Sequence, residues 1–262
     1  MAAHPGYPGP PVRSRRLRSI GVVGLILACA SCSASADTRT PIGIWDSFTG
    51  RDELIVSEGS PVSDNSPWMM TSGSLFRQDN EGWTGTPDDG REIDATGSAV
   101  FRMISRDRDF ADVDVTMRLR VDELVETERT PAQDFDGAHL WVRYESEWQL
   151  YAVSVDRRDG EMIIKKKCPG GGSNGGTYFD LGSVATDVPI PLGLWQHVAA
   201  SVRDLPDGSV EITADRDGTR IRAVDQGVGC APLRGAGGVG LRGDNATFRV
   251  DDIEVVPADP GA

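Results

Sequence analysis

What this chain has little of narrows it first. Across 262 residues no stretch carries a convincing 3.6-residue apolar period, so a helical architecture is excluded. Histidine is scarce: there are three, and only His139 and His197 lie beyond the first 36 residues. Cysteine is nearly as scarce, with four in all. Cys29 and Cys32 fall in an apolar amino-terminal run, which leaves Cys168 and Cys230 as one pair without a neighbouring histidine. That set does not suit zinc. Positive charge is also short. The formal net charge is −13, and residues 1–36 hold four arginines and no acid, so the remainder is four charges lower still. Nucleic acid and anionic membrane surfaces repel such a surface, so neither is expected as a partner; neutral glycans and cations are compatible with it.

What is present points to export and to strands. Arg13, Arg15, Arg16 and Arg18 precede Ile20 to Ala30, an apolar run of signal-peptide length that is too short to span a bilayer comfortably. Two cleavage readings stand side by side. Ala34-Ser35-Ala36 before Asp37 is a small-x-small site. Ile26-Leu27-Ala28-Cys29 resembles a lipobox, in which Cys29 would be lipidated and a lipid anchor would be the one link to a membrane. Residues 1–36 are therefore read as a signal or lipoprotein signal, 37–41 as a linker, 42–257 as one domain and 258–262 as a tail. The expected location is extracytoplasmic, secreted or lipid-anchored at the cell surface. In an exported chain a single even pair of cysteines is most simply a disulfide, so Cys168 is expected to bond Cys230.

The 31 glycines suit many tight turns. Short β-rich runs recur with turn signals every 8–12 residues, the pattern of a sandwich or barrel. The stretch Gly137 to Cys168 has the densest aromatic content and reads as three antiparallel strands. Along 138–144, Leu140, Val142 and Tyr144 share one face, expected toward the core. His139, Trp141, Arg143 and then Glu145 share the other, because alternate strand residues point to opposite faces. A two-residue turn at Ser146-Glu147 would bring Trp148 and Leu150 across from that face; a three-residue turn would bring Gln149 and Tyr151. Ser-Glu is poor chemistry for a two-residue hairpin, which favours the longer turn and places Tyr151 near Trp141. The candidate ligand face is thus His139, Trp141, Arg143, Glu145 and Tyr151. Pro169 to Gly176 reads as a solvated glycine-rich loop, since nothing after it completes a phosphate-binding motif.

Three pieces of the second half carry a resemblance: Gly193-Leu194-Trp195-Gln196-His197-Val198, the Asp217-Gly218 hairpin, and the closing Gly240-Leu241-Arg242 with Phe248 to Val255. Together they resemble the concanavalin A-like lectin/glucanase superfamily, laminin-G-like domains included, and within it the 3-keto-disaccharide hydrolase-like exported bacterial domains. The resemblance implies an all-β, two-sheet antiparallel jelly-roll sandwich that binds or cleaves glycans, with a cell-envelope polysaccharide as partner. It also implies a structural calcium where first and last strands meet, here Asp46 with Asp251 and Asp252. The Glu-x-Asp-x-x-Glu strand of the retaining glucanases is missing. Glu145-Ser146-Glu147 reads as a solvated turn, and His139 has no evident nucleophile partner. The expectation is a glycan-binding, non-catalytic protein without an organic cofactor; the alternative is a hydrolase or lyase with a dispersed site on the concave sheet.

Overall fold

The computed structural model describes residues 43–60, 66–85, 99–126, 128 and 130–258. The expectations for the signal segment, including Cys29, lie outside them. The described residues belong to one compact unit. Its described part contains sixteen strands and no helix. In chain order these are β1 (Ile44–Asp46), β2 (Glu53–Ser57), β3 (Trp68–Ser72), β4 (Ser74–Gln78), β5 (Glu81–Trp83), β6 (Val100–Ser105), β7 (Val113–Leu124) and β8 (Gly137–Ser146). They continue as β9 (Gln149–Arg157), β10 (Met162–Ser173), β11 (Gly176–Ala185), β12 (Gln196–Asp204), β13 (Val210–Arg216), β14 (Thr219–Asp225), β15 (Gly238–Asp244) and β16 (Ala246–Pro257).

Every pairing is antiparallel, and the strands form two sheets. Nine strands run β14-β13-β12-β7-β16-β5-β4-β2, with β1 also on β16. Seven run β11-β10-β9-β8-β15-β6-β3. Alternation explains the layering. In β7, Val113, Val115, Met117, Leu119 and Val121 are buried while the intervening residues are half-buried. They meet Leu140, Val142, Val153, Val155 and Ile164 of the seven-stranded sheet in one apolar core. Val210, Ile212 and Ala214 of β13 extend it. The run from Trp68 to Gln78 divides at Gly73, whose φ of 73° turns the chain from β3 in one sheet to β4 in the other. A side chain there would be strained, since positive φ suits glycine.

The glycine-rich segment is not the open loop expected. Pro169 to Ser173 extends β10, and the turn narrows to Asn174 and Gly175, which return the chain into β11. Gly170 N donates to Gly175 O at 2.7 Å, and Thr177 Oγ donates to Gly170 O at 2.6 Å. The positive φ values of this irregular hairpin fall at Gly170, Gly171, Asn174 and Gly175. Cys168 and Cys230 are bonded, with Cα atoms 5.9 Å apart. The crosslink ties the start of that hairpin to the segment between β14 and β15.

Candidate functional site

The seven-stranded sheet has a second buried apolar cluster on the face turned away from the core. It contains Ile104, Trp141, Tyr144, Leu150 and Ala152, with Met69 and Tyr178 packed against it. Beside it lies a hollow of about 120 Å³. Its floor comes from four adjacent strands: His139 and Trp141 of β8, Ala152 and Ser154 of β9, Lys165 of β10, and Arg242 and Asp244 of β15. Arg157, Ser173, Tyr178 and Phe135 complete the walls. Phe135 belongs to the polar excursion before β8, and Ser173 and Tyr178 to the glycine-rich hairpin, so two connections border the site.

Register brings these groups together. Trp141 stands opposite Ala152 on one side and Gly240 on the other, and Ala152 stands opposite Lys165. One row along, His139 stands between Ser154 and Arg242. Pairs directly opposite in a ladder bring side chains within reach of each other. His139 Nδ1 is 2.9 Å from Ser154 Oγ, and its Nε2 is 3.1 Å from Asp244 Oδ2. Arg242 donates to both oxygens of Asp244, Nε and Nη2 each at 2.6 Å. Burial pushes the Asp244 carboxyl up, but the facing Arg242 charge and the His139 contact outweigh it and hold the group well below the usual carboxylate range. Lys165 pairs loosely with the exposed Asp180 at 3.5 Å.

His139 and Trp141 occupy the expected face, but Trp141 is only 2% exposed. Its ring stacks on Tyr144 at 5.5 Å with an interplanar angle of 16°, and the Arg108 guanidinium covers Tyr144 from 4.6 Å. Trp141 is therefore the floor of a small hollow and not an open platform. The half-buried Tyr178 and Phe135 are the aromatic groups at its sides.

Three of the expected residues are elsewhere. Strand parity fails at Arg143, which has φ of 51° within a bulge between Val142 and Ser146. The bulge sends Tyr144 to the Trp141 side and buries Arg143 against Asp112 at 2.9 Å and Asp204 at 3.1 Å. Gly237 permits it, since a Cβ there would lie 2.8 Å from the Arg143 backbone. Glu145, within the same bulge, is exposed outside the hollow. Tyr151 stands opposite Val142 and joins the main core. The reason is the turn: Ser146 pairs with Gln149, leaving Glu147 and Trp148 as a two-residue connection, so the longer turn does not form. Tyr151 donates to Asp225 at 2.6 Å and accepts from Leu233 N at 2.9 Å.

The acids expected to hold calcium have other partners. Asp46 stands opposite Ile253, and its carboxylate is engaged by Phe48 N at 3.0 Å and Trp68 Nε1 at 2.8 Å. Asp251 and Asp252 close instead on Arg118, a guanidinium where an ion's charge would sit. Asp252 has φ of 48° in a bulge of β16. Among the described residues no group of three or more His, Cys, Asp or Glu converges as a cation cage. The residues do not fit the ion. His197, the other histidine of the domain, is exposed on β12, in the nine-stranded sheet.

No family model matches the chain, and no curated protein matches it in sequence. Solved structures match in fold. A chain described with endo-acting O-glycanases that initiate mucin breakdown, from prominent members of the human gut microbiota, has a TM-score of 0.51 at 11% identity. It covers 82% of this chain and 99% of its own. A variant of the Emp46p carbohydrate recognition domain has a TM-score of 0.50 at 8% identity, over 82% of this chain and 99% of its own. Carbohydrate-binding module CBM66 from Bacillus subtilis has 0.48 at 12% identity, over 74% and 98%. At such identities the likeness speaks to fold alone, and the fold is an all-β, two-sheet antiparallel jelly-roll sandwich.

Proposed function

We propose that the chain is an exported glycan-binding protein and that the hollow on the outward face of the seven-stranded sheet is its binding site. The observation that carries the reading is the lining of that hollow. Aromatic walls from Phe135, Trp141 and Tyr178 stand beside hydrogen-bonding groups from His139, Ser154, Lys165 and Arg242. A sugar presents apolar C–H faces and a rim of hydroxyls, and this combination answers both. Ligand sites in general are apolar hollows with a few placed polar groups. At about 120 Å³ the hollow is far below the roughly 300–1,000 Å³ of drug-sized pockets, so it takes a single sugar unit or chain end.

Two of the matched structures are described with carbohydrate recognition and with O-glycanases, which agrees with this class of ligand. The basic and apolar amino-terminal segment and the disulfide support an extracytoplasmic location, since such bonds persist in oxidising compartments. A cell-envelope or secreted polysaccharide is the partner proposed, and lipidation at Cys29 is the route proposed to any membrane association. A glycan array probed with the folded protein tests the reading. Selective binding that is lost in Tyr178→Ala supports it; an array without any bound glycan contradicts it.

A further inference from the structure

Three polar side chains in the hollow are arranged more specifically than binding requires. Asp244, His139 and Ser154 stand on the adjacent strands β15, β8 and β9. His139 is held at both ring nitrogens, by Ser154 Oγ at 2.9 Å and Asp244 Oδ2 at 3.1 Å. An ionised carboxylate can only accept, so the nitrogen facing Asp244, Nε2, carries the proton. Arg242 keeps Asp244 in that ionised form. Nδ1 is then a bare acceptor, and the Ser154 hydroxyl donates to it. A hydroxyl, a base touching it, and a carboxylate orienting the base are the parts of an activated serine nucleophile.

We propose that Ser154 is the nucleophile of an ester hydrolase that removes a small acyl group from a saccharide hydroxyl, a proposal that rests on the glycan-binding reading of the same hollow. The surroundings set the substrate class. Ala152 shares the Ser154 face with only a methyl group, and Trp141 and Phe135 wall the space, so an acetyl-sized group fits and a long chain does not. Ser154 pairs with His139 on one side and Ile163 on the other, so the ladders engage the backbone around it. Stabilisation of an oxyanion therefore falls to the cationic side chains at the hollow, first to Lys165 diagonal to Ser154, since Arg157 already pairs with Asp159 through Nε and Nη2. Charge of that kind suits an ester more than the less reactive amide.

The step balances as a simple hydrolysis. Ser154 Oγ attacks the acyl carbon while its proton passes to His139 Nδ1. The oxyanion collapses, the bond from acyl carbon to sugar oxygen breaks, and Nδ1 returns the proton to that oxygen. Water then gives a proton to Nδ1 and attacks the acyl-serine. The carboxylic acid leaves, and the proton returns to Ser154 Oγ. Asp244 and Arg242 are positioning residues.

The test uses the full chain with 4-nitrophenyl acetate and with O-acetylated xylo-oligosaccharides, reading nitrophenolate and acetate. Diisopropyl fluorophosphate labelling followed by peptide mapping needs no variant. The expected result is a phosphoryl adduct on Ser154, acetate release from both probes, and a loss of at least about 100-fold in Ser154→Ala at an unchanged melting temperature. Asp244→Asn should lower kcat and displace the alkaline-rising limb of the pH profile, which a purely structural role would leave in place. Rates equal to those of Ser154→Ala and no adduct at Ser154 overturn the esterase, while retained glycan-array binding in the same preparation leaves the binding reading standing. Nitrophenolate release without acetate from the oligosaccharides overturns the saccharide substrate.

Discussion

Lys166 carries its charge into the core. It is wholly buried, with Nζ 2.7 and 2.9 Å from the two oxygens of Asp225 and 2.6 Å from the Cys230 carbonyl. Removing one partner of such a pair leaves a buried charge without compensation, at a cost of about 3–5 kcal/mol. Lys166→Met should therefore lower unfolding stability by that amount, measured by urea titration. Acid should erase the difference. Burial raises the Asp225 carboxyl, but Lys166 and Tyr151 outweigh it and hold the group below the usual range. A carboxylate depressed in the folded state stabilises the fold above its unfolded value of about 4 and loses that contribution as pH falls through the folded value. The gap between wild type and Lys166→Met should thus be full at pH 7 and narrow below about pH 4. A gap that stays constant down to pH 2 would contradict the pair. Nothing in Lys165-Lys166-Lys167 distinguishes these residues by type. Strand parity turns only the middle one toward the main core, where its partner lies 59 residues away, while Lys167 is buried on the opposite face against Tyr178.

The bulge in β8 decides the site more than any other local feature. Up to Val142 the strand follows simple alternation, which is why His139 and Trp141 could be assigned to one face from the sequence. Beyond it, alternation fails because Arg143 adopts φ of 51°, a conformation supported by Gly237, by Asp112 just before β7 and by Asp204 at the end of β12. No pattern within the strand carries that information. The same limit hid Ser154 and Asp244, which reach His139 through the registers of neighbouring strands, and it misplaced Tyr151 in the hollow. Arg143→Val and Arg143→Asn both remove the ion pairs, but only valine is strongly strained at positive φ. The valine variant should be the less stable of the two by about 1–3 kcal/mol. Equal melting curves would show that the backbone there is not under constraint.

At the scale of the whole molecule, strand spacing and turn residues pointed to a sandwich or barrel, the resemblance selected the two-sheet jelly roll, and the disulfide followed from cysteine arithmetic. The Cys168–Cys230 bond spans 62 residues of sequence and anchors the hairpin that borders the hollow. Replacing both cysteines by serine should cost about 2–4 kcal/mol and leave the fold intact, and the folded wild type should titrate no free thiol from this pair. The partners of the acids expected to hold calcium were not legible: Arg118, Trp68 and a backbone amide already engage them. Of the two outward faces, that of the seven-stranded sheet carries the hollow lined by aromatic and hydrogen-bonding groups. Trp195 lies on the other sheet, its ring against Arg118 and Arg120 at 4.7 and 4.9 Å. The most direct measurement is calorimetric titration of an array-selected glycan into wild type, Tyr178→Ala, Lys165→Ala and Trp195→Ala. The account predicts at least about tenfold weaker binding, 1.4 kcal/mol, for the first two variants and unchanged binding for the third. Loss of affinity in Trp195→Ala with none in Tyr178→Ala or Lys165→Ala would place the glycan on the opposite sheet and contradict it.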